Sequence, residues 1–95
     1  MPISTQFGPY GFWSTNWNAV PGVYFIANAN GQAIYIGQTD DLRRRMAEHQ
    51  ADTTHCMHRY DPALVWVEVI TTGEIDRRLR ERQLIAEYQP FCNVA

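Results

Sequence analysis

A chain of 95 residues fits one domain and leaves no room for two, and its 45% hydrophobic, 13% aromatic and 19% charged content is that of a globular fold rather than a disordered tail. No apolar run is long enough to span a bilayer and no basic-then-apolar leader opens the chain, so the expectation is a soluble cytoplasmic protein that does not meet a membrane. The net charge of −2 argues against a general nucleic-acid binder, yet all 8 basic residues are arginines, most of them clustered at 43–45 and 77–82, and arginine suits phosphate.

Residues 1–21 mix Gly, Pro, Ser and Asn with Phe7, Tyr10, Phe12, Trp13 and Trp17. They have no period but are too apolar to stay solvated, so an irregular arm folded back over the core is expected, ahead of a domain at 22–95. Gly22–Ala27 (GVYFIA) and Ala33–Gly37 (AIYIG) are β-rich runs flanking Asn30-Gly31, a strong hairpin signal. With that dipeptide at the tip, Ile26 opposes Tyr35 and Tyr24 opposes Gly37, so these four share one sheet face. Val23, Phe25, Ile34 and Ile36 take the other, an ordinary core face. Thr39, Asp40 and Asp41 offer N-caps for a helix running to about Gln50, on which Leu42, Arg45, Met46 and His49 share a face. Residues 51–62 read as a loop and Leu64–Thr71 as a third strand. A second helix spans about Glu74 to Tyr88, with Glu81 on the arc of Leu84, Ile85 and Tyr88. The expected fold is therefore α+β: a three-stranded antiparallel sheet flanked by helices, in the order β-β-α-β-α. Cys56 and Cys92 are expected to be reduced, because a disulfide-dependent small domain usually carries more cysteines.

Five side chains are out of place in a plain core: Tyr24, Tyr35, Arg45, His49 and Glu81. Each alone has an ordinary explanation. Tyrosines pack in strands, arginines snorkel, a histidine suits a helix C-terminus, and Glu81 could pair with Arg78 or Arg82. Together they suit phosphodiester hydrolysis, which needs a base for water, a cation on the phosphate oxygens and charge relief at the leaving oxygen. A single inward carboxylate can hold Mg²⁺, which keeps most of its waters.

Gly22-Val23-Tyr24 and Tyr35-Ile36-Gly37 resemble the two half-motifs that name the GIY-YIG nuclease superfamily. The stretch from Gly37 through Thr39, Asp41 and Leu42 to Arg45 and His49 is similar to the family's next block. Glu81 through Leu84-Ile85, Tyr88 and Pro90 to Asn93 is similar to its last, with particular likeness to the N-terminal nuclease domain of the excision-repair incision protein. The resemblance implies a metal-dependent endonuclease acting on nucleic acid, expected to be DNA, by a one-metal mechanism. In it Tyr35 activates the attacking water, with Tyr24 sharing that task or positioning the phosphate. Arg45 binds the scissile phosphate, His49 is a proton acceptor or phosphate contact, and Glu81 is the sole protein ligand of Mg²⁺ or Mn²⁺. Gly37 lets substrate approach, Asn93 braces the site, and Gln38, Arg44 and His58 join the substrate-binding side.

Some family members carry a lysine where this chain has Gln38, which supplies no charge. That departure and the net acidity imply weak binding alone, or a protein partner that supplies the target. A catalytically weak module of the same fold, binding nucleic acid or a protein, is the alternative. A zinc site from His49, His55, Cys56 and His58 is disfavoured, because adjacent His55 and Cys56 are awkward ligands for one ion.

Overall fold

The computed structural model describes residues 8–93; Phe7 of the arm lies outside them. The elements are β1 (Tyr10–Gly11), β2 (Gly22–Ala27), β3 (Ala33–Thr39), α1 (Leu42–Ala51), a 3-10 helix (Cys56–Tyr60), β4 (Leu64–Val69) and α2 (Glu74–Tyr88). The sheet has four strands in the order β1-β4-β2-β3, each pairing antiparallel. The fourth strand is the addition to the expected three. It is two residues long, too short for any alternation to show in the sequence, and pairs Tyr10 with Val65. The 3-10 helix likewise replaces part of the loop expected at 51–62.

The hairpin register is as expected at Tyr24–Gly37 and Ile26–Tyr35. Asn28 builds the turn: its Oδ1 accepts from the amides of Asn30 and Gln32, each at 3.0 Å, and Gly31 takes the left-handed φ of 82°. Ala27 then pairs with Ala33, leaving one extra residue on β3 as a bulge. The bulge turns Ile34 into the cluster beneath α1 rather than onto the face of Val23, Phe25 and Ile36, a correction to the simple alternation.

The two sheet faces bury different helices. Tyr24, Ile26, Val65 and Val67 pack with Leu42 and Met46 of α1, closed off by Phe12 and Trp17 of the N-terminal segment. Val23, Phe25 and Ile36 pack with Leu84 of α2, flanked by Trp66, Ile85 and Tyr88. Arg80 of α2 grips Glu68 of β4 with two hydrogen bonds of 2.7 and 2.8 Å, largely shielded from solvent.

β3 is an edge strand, and the residues after α2 cover its open side. Cys92 N–H donates to Ile34 C=O at 2.9 Å. Asn93 satisfies both backbone groups of Ile36: its Oδ1 accepts at 2.7 Å and its Nδ2 donates at 2.8 Å. The same docking brings Cys92 to the 3-10 helix, where it is disulfide-bonded to Cys56. The expectation of two reduced cysteines is therefore corrected. Two thiols 36 residues apart show no framework in the sequence, and only the docking of the C-terminal segment makes them neighbours.

Candidate active site at the open edge of β3

The site begins with Tyr24, which is fully buried. Its hydroxyl lies 2.7 Å from His49 Nε2 and accepts from Arg45 Nε at 3.4 Å. Burial raises the Tyr24 pKa well above that of a free phenol, with the neighbouring Tyr35 and the Glu81 charge adding to the rise and Arg45 opposing it. Burial, followed by the charge of Arg45, pushes His49 down to about 3. A protonated phenol thus faces a neutral imidazole across this contact. The hydrogen bond to Tyr24, together with the adjacent Tyr35, holds the Arg45 guanidinium firmly charged against its burial.

Helical spacing explains why Arg45 and His49 arrive together. They are one turn apart on α1, whose start is capped by Asp41 accepting from the Arg44 amide at 3.1 Å. Gly37 is required opposite Tyr24, because a Cβ there would run into the phenol oxygen and ring. Gly37 thus makes room for Tyr24, a packing role that stands beside the one expected of it in admitting substrate. Tyr35 is partly exposed, with its ring centroid 6.2 Å from Tyr24, 5.5 Å from His49 and 5.0 Å from His55.

Glu81 approaches from the opposite layer. Among the described residues it is in no ion pair, since Arg78 bonds Glu74 instead. Partial burial raises its pKa, against which the Gln38 backbone amide and the charges of Arg78 and Arg82 work. Gln38 is two residues beyond Ile36 on β3, so its amide faces the same open edge. From there the charge of Glu81 acts on Tyr24.

Beside this edge runs a polar groove of about 550 Å³ lined by Gln38, Arg44, Arg45 and Arg77 among others. Arg44 is exposed and bonded to Asp40 at 2.6 Å. His58 lies elsewhere: its Nε2 donates to the His49 carbonyl at 2.7 Å, and its ring lines a separate cavity with Trp13 and Tyr60. The side chain of Asn93 bonds Ile36 of β3, as a brace. The zinc set is broken up, because Cys56 is in the disulfide and His55 Nδ1 accepts from the Met57 amide at 3.1 Å. Two residues escaped the sequence reading. His55, against Tyr35, left no signal. Arg77 did: it stands one helical turn before Glu81 and so shares its face.

Among the described residues no helix is long and apolar enough to cross a membrane. The family model of the GIY-YIG catalytic domain matches residues 20–93. The chain is 30% identical over 78 residues to UvrABC system protein C of Syntrophomonas wolfei, covering 78% of this chain and 13% of that protein. It is 35% identical over 77 residues to the protein of the same name from Rhodopseudomonas palustris, covering 78% and 11%. The chain thus spans only about an eighth of the length of these relatives. Among solved structures it is similar to the GIY-YIG N-terminal endonuclease domain of UvrC from Thermotoga maritima bound to magnesium. That likeness has a TM-score of 0.70 and 29% identity, and covers 81% of this chain and 86% of that one. A tyrosine-to-phenylalanine mutant of the same domain, bound to its catalytic divalent cation, gives 0.71 and 29%, covering 82% and 87%. On the motifs, the fold and these likenesses together, the chain belongs to the GIY-YIG family of nuclease domains.

Proposed function

We propose that this protein hydrolyses DNA phosphodiester bonds with a single divalent cation, Mg²⁺ or Mn²⁺, held by Glu81. The observation that carries the reading is the state of Glu81: a half-buried carboxylate without an ion-pair partner among the described residues, beside the Gln38 amide and near enough for its charge to act on Tyr24. A carboxylate left this way costs free energy unless a cation joins it. A hard oxygen donor at a groove edge fits a cation that takes one or two carboxylates and keeps its waters. When bound, such an ion relieves the charge that develops on the leaving oxygen.

The remaining roles belong to the chain itself. Tyr35, the more exposed phenol, accepts a hydrogen bond from the attacking water and so orients and helps activate it. Arg45, held charged, binds the non-bridging oxygens of the scissile phosphate. Tyr24 is too deeply buried to touch water, and it orients Arg45. His49 is only 2% exposed and holds protons weakly at neutral pH, so it serves as the hydrogen-bond partner that fixes the Tyr24 hydroxyl rather than as a phosphate contact or proton store. Asn93 keeps β3 in register beneath Tyr35 and Gly37.

The experiment is cleavage of a panel of duplex, flap, junction and single-stranded DNA and RNA substrates with Mg²⁺ or Mn²⁺. Cleavage of at least one DNA substrate, abolished by chelation and by Arg45→Ala, is expected. A second reading has support in the pairing of Arg44 with Asp40 and of Arg45 with Glu48, which dilutes the positive charge of the groove. A protein that binds these substrates but cuts none would be the catalytically weak module, docking on nucleic acid or a protein partner.

A further inference from the structure

We propose that Arg77 is a second phosphate-binding residue, gripping a backbone phosphate of the DNA next to the one that Arg45 holds; this rests on the nuclease reading. Three observations point to it. First, Arg77 lines the same groove as Arg44 and Arg45, although it comes from α2 and they come from α1. Second, its partner is neutral: Arg77 Nε donates to Gln38 Oε1 at 3.1 Å, and among the described residues it is in no ion pair. The other groove arginines face carboxylates, Arg44 at 2.6 Å from Asp40 and Arg45 at 3.5 Å from Glu48. Glu74 is likewise taken by Arg78, at 3.3 Å. Third, Gln38 links Arg77 to the reaction centre, with its side chain on Arg77 and its backbone amide beside Glu81.

An amide oxygen fixes a guanidinium without neutralising it. The single bond to Nε leaves the terminal nitrogens of Arg77 free to fork onto two phosphate oxygens. The cation that Gln38 itself cannot supply is thus delivered to the same corner of the groove from the facing helix. Arg77 is a substrate-positioning residue, and it acts through binding in the ground state and transition state alike.

The test is binding of a fluorescent duplex oligonucleotide in EDTA, titrated from 50 to 200 mM salt, for the full chain, Arg77→Gln, Arg77→Lys and Arg77→Gln/Gln38→Lys. Arg77→Gln keeps a donor for Gln38 and removes only the charge. One phosphate contact fewer lowers the salt slope by about 0.9, so the affinity lost across that range shrinks roughly 3.5-fold. Arg77→Lys and the double variant, which restore the charge, are expected to recover the slope. In nicking assays Arg77→Gln raises KM and leaves kcat close to the parent value. An unchanged slope in Arg77→Gln, or a slope that the double variant does not recover, overturns the proposal, as does a full chain that fails to bind the duplex at all. A parent protein that binds with this Arg77 dependence yet never nicks DNA in Mg²⁺ supports the phosphate contact and sinks the nuclease reading alone.

Discussion

Burial makes the ionised Glu81 carboxylate costly to the metal-free fold, although the charges of Arg78 and Arg82 partly offset it. Its pKa is raised in the folded state, so the stability it contributes is present at low pH and is lost as the pH rises through that folded value. Glu81→Gln is therefore expected to melt at a higher temperature than the parent near pH 7 in EDTA. It is also expected to lose the Mg²⁺-induced rise in Tm, because only a protein with the ligand gains stability by binding. His49 behaves in the opposite sense. Its folded pKa of about 3 lies below the ordinary 6.5, so the stability of the neutral imidazole is complete above about pH 6.5 and is lost as the pH falls toward 3. Urea midpoints between pH 7.5 and 4 should decline less steeply in His49→Gln, whose amide can still hydrogen-bond Tyr24. Gly37→Ala forces Tyr24 off its seat, and overpacking of this kind costs about 1–3 kcal/mol. Denaturant unfolding measures that loss, which should come with reduced cleavage, because Tyr24 holds Arg45.

The elements were legible wherever local chemistry decides them. Asn30-Gly31 marked the hairpin, but its tip is Ala29-Asn30, with Asn28 rather than Ala29 facing Gln32; the bulge offsets that shift, which is why the opposition of Tyr24 to Gly37 is as the sequence implies. The inward arc of α2 exposed Glu81 as anomalous. What was hidden depends on tertiary convergence. β1 exists only because β4 offers it an edge, and Ile34 changes faces only because of the bulge. Arg77 looks like one solvated arginine among many until Gln38 is placed against it. The Cys56–Cys92 bond belongs to the same class. It ties the 3-10 helix capped by His55, whose ring packs on Tyr35, to the segment whose Asn93 holds Ile36 beside Tyr35. Closing a loop of 36 residues is worth about 4 kcal/mol in the chain-entropy account. Reduction with dithiothreitol, or Cys56→Ser, should lower stability by about that amount, measured by urea denaturation. The bond also fits poorly with the cytoplasmic expectation, because cytosolic thiols are kept reduced. Counting free thiols in protein purified under non-reducing conditions is expected to find none.

At the scale of the whole molecule, the proposed function has an acidic chain handle an acidic polymer by concentrating arginines along one groove, among the described residues, and pairing only some of them. The relatives are many times longer. Affinity resting on about three arginine–phosphate contacts falls steeply with salt. Cleavage at subsaturating enzyme should be roughly tenfold or more faster at 50 than at 200 mM salt, which a time course in each buffer measures.

If Glu81, Arg45 and the two phenols form one metal-dependent hydrolytic centre, nicking of supercoiled plasmid reports it. The parent protein is expected to convert plasmid to the open-circle form in Mg²⁺ and to stop in EDTA. Glu81→Gln, with its fold verified by circular dichroism, is expected to be slower by about 10²-fold or more. Nicking that persists in Glu81→Gln at the parent rate, or a parent protein inert toward plasmid in Mg²⁺ and Mn²⁺ alike, would contradict it.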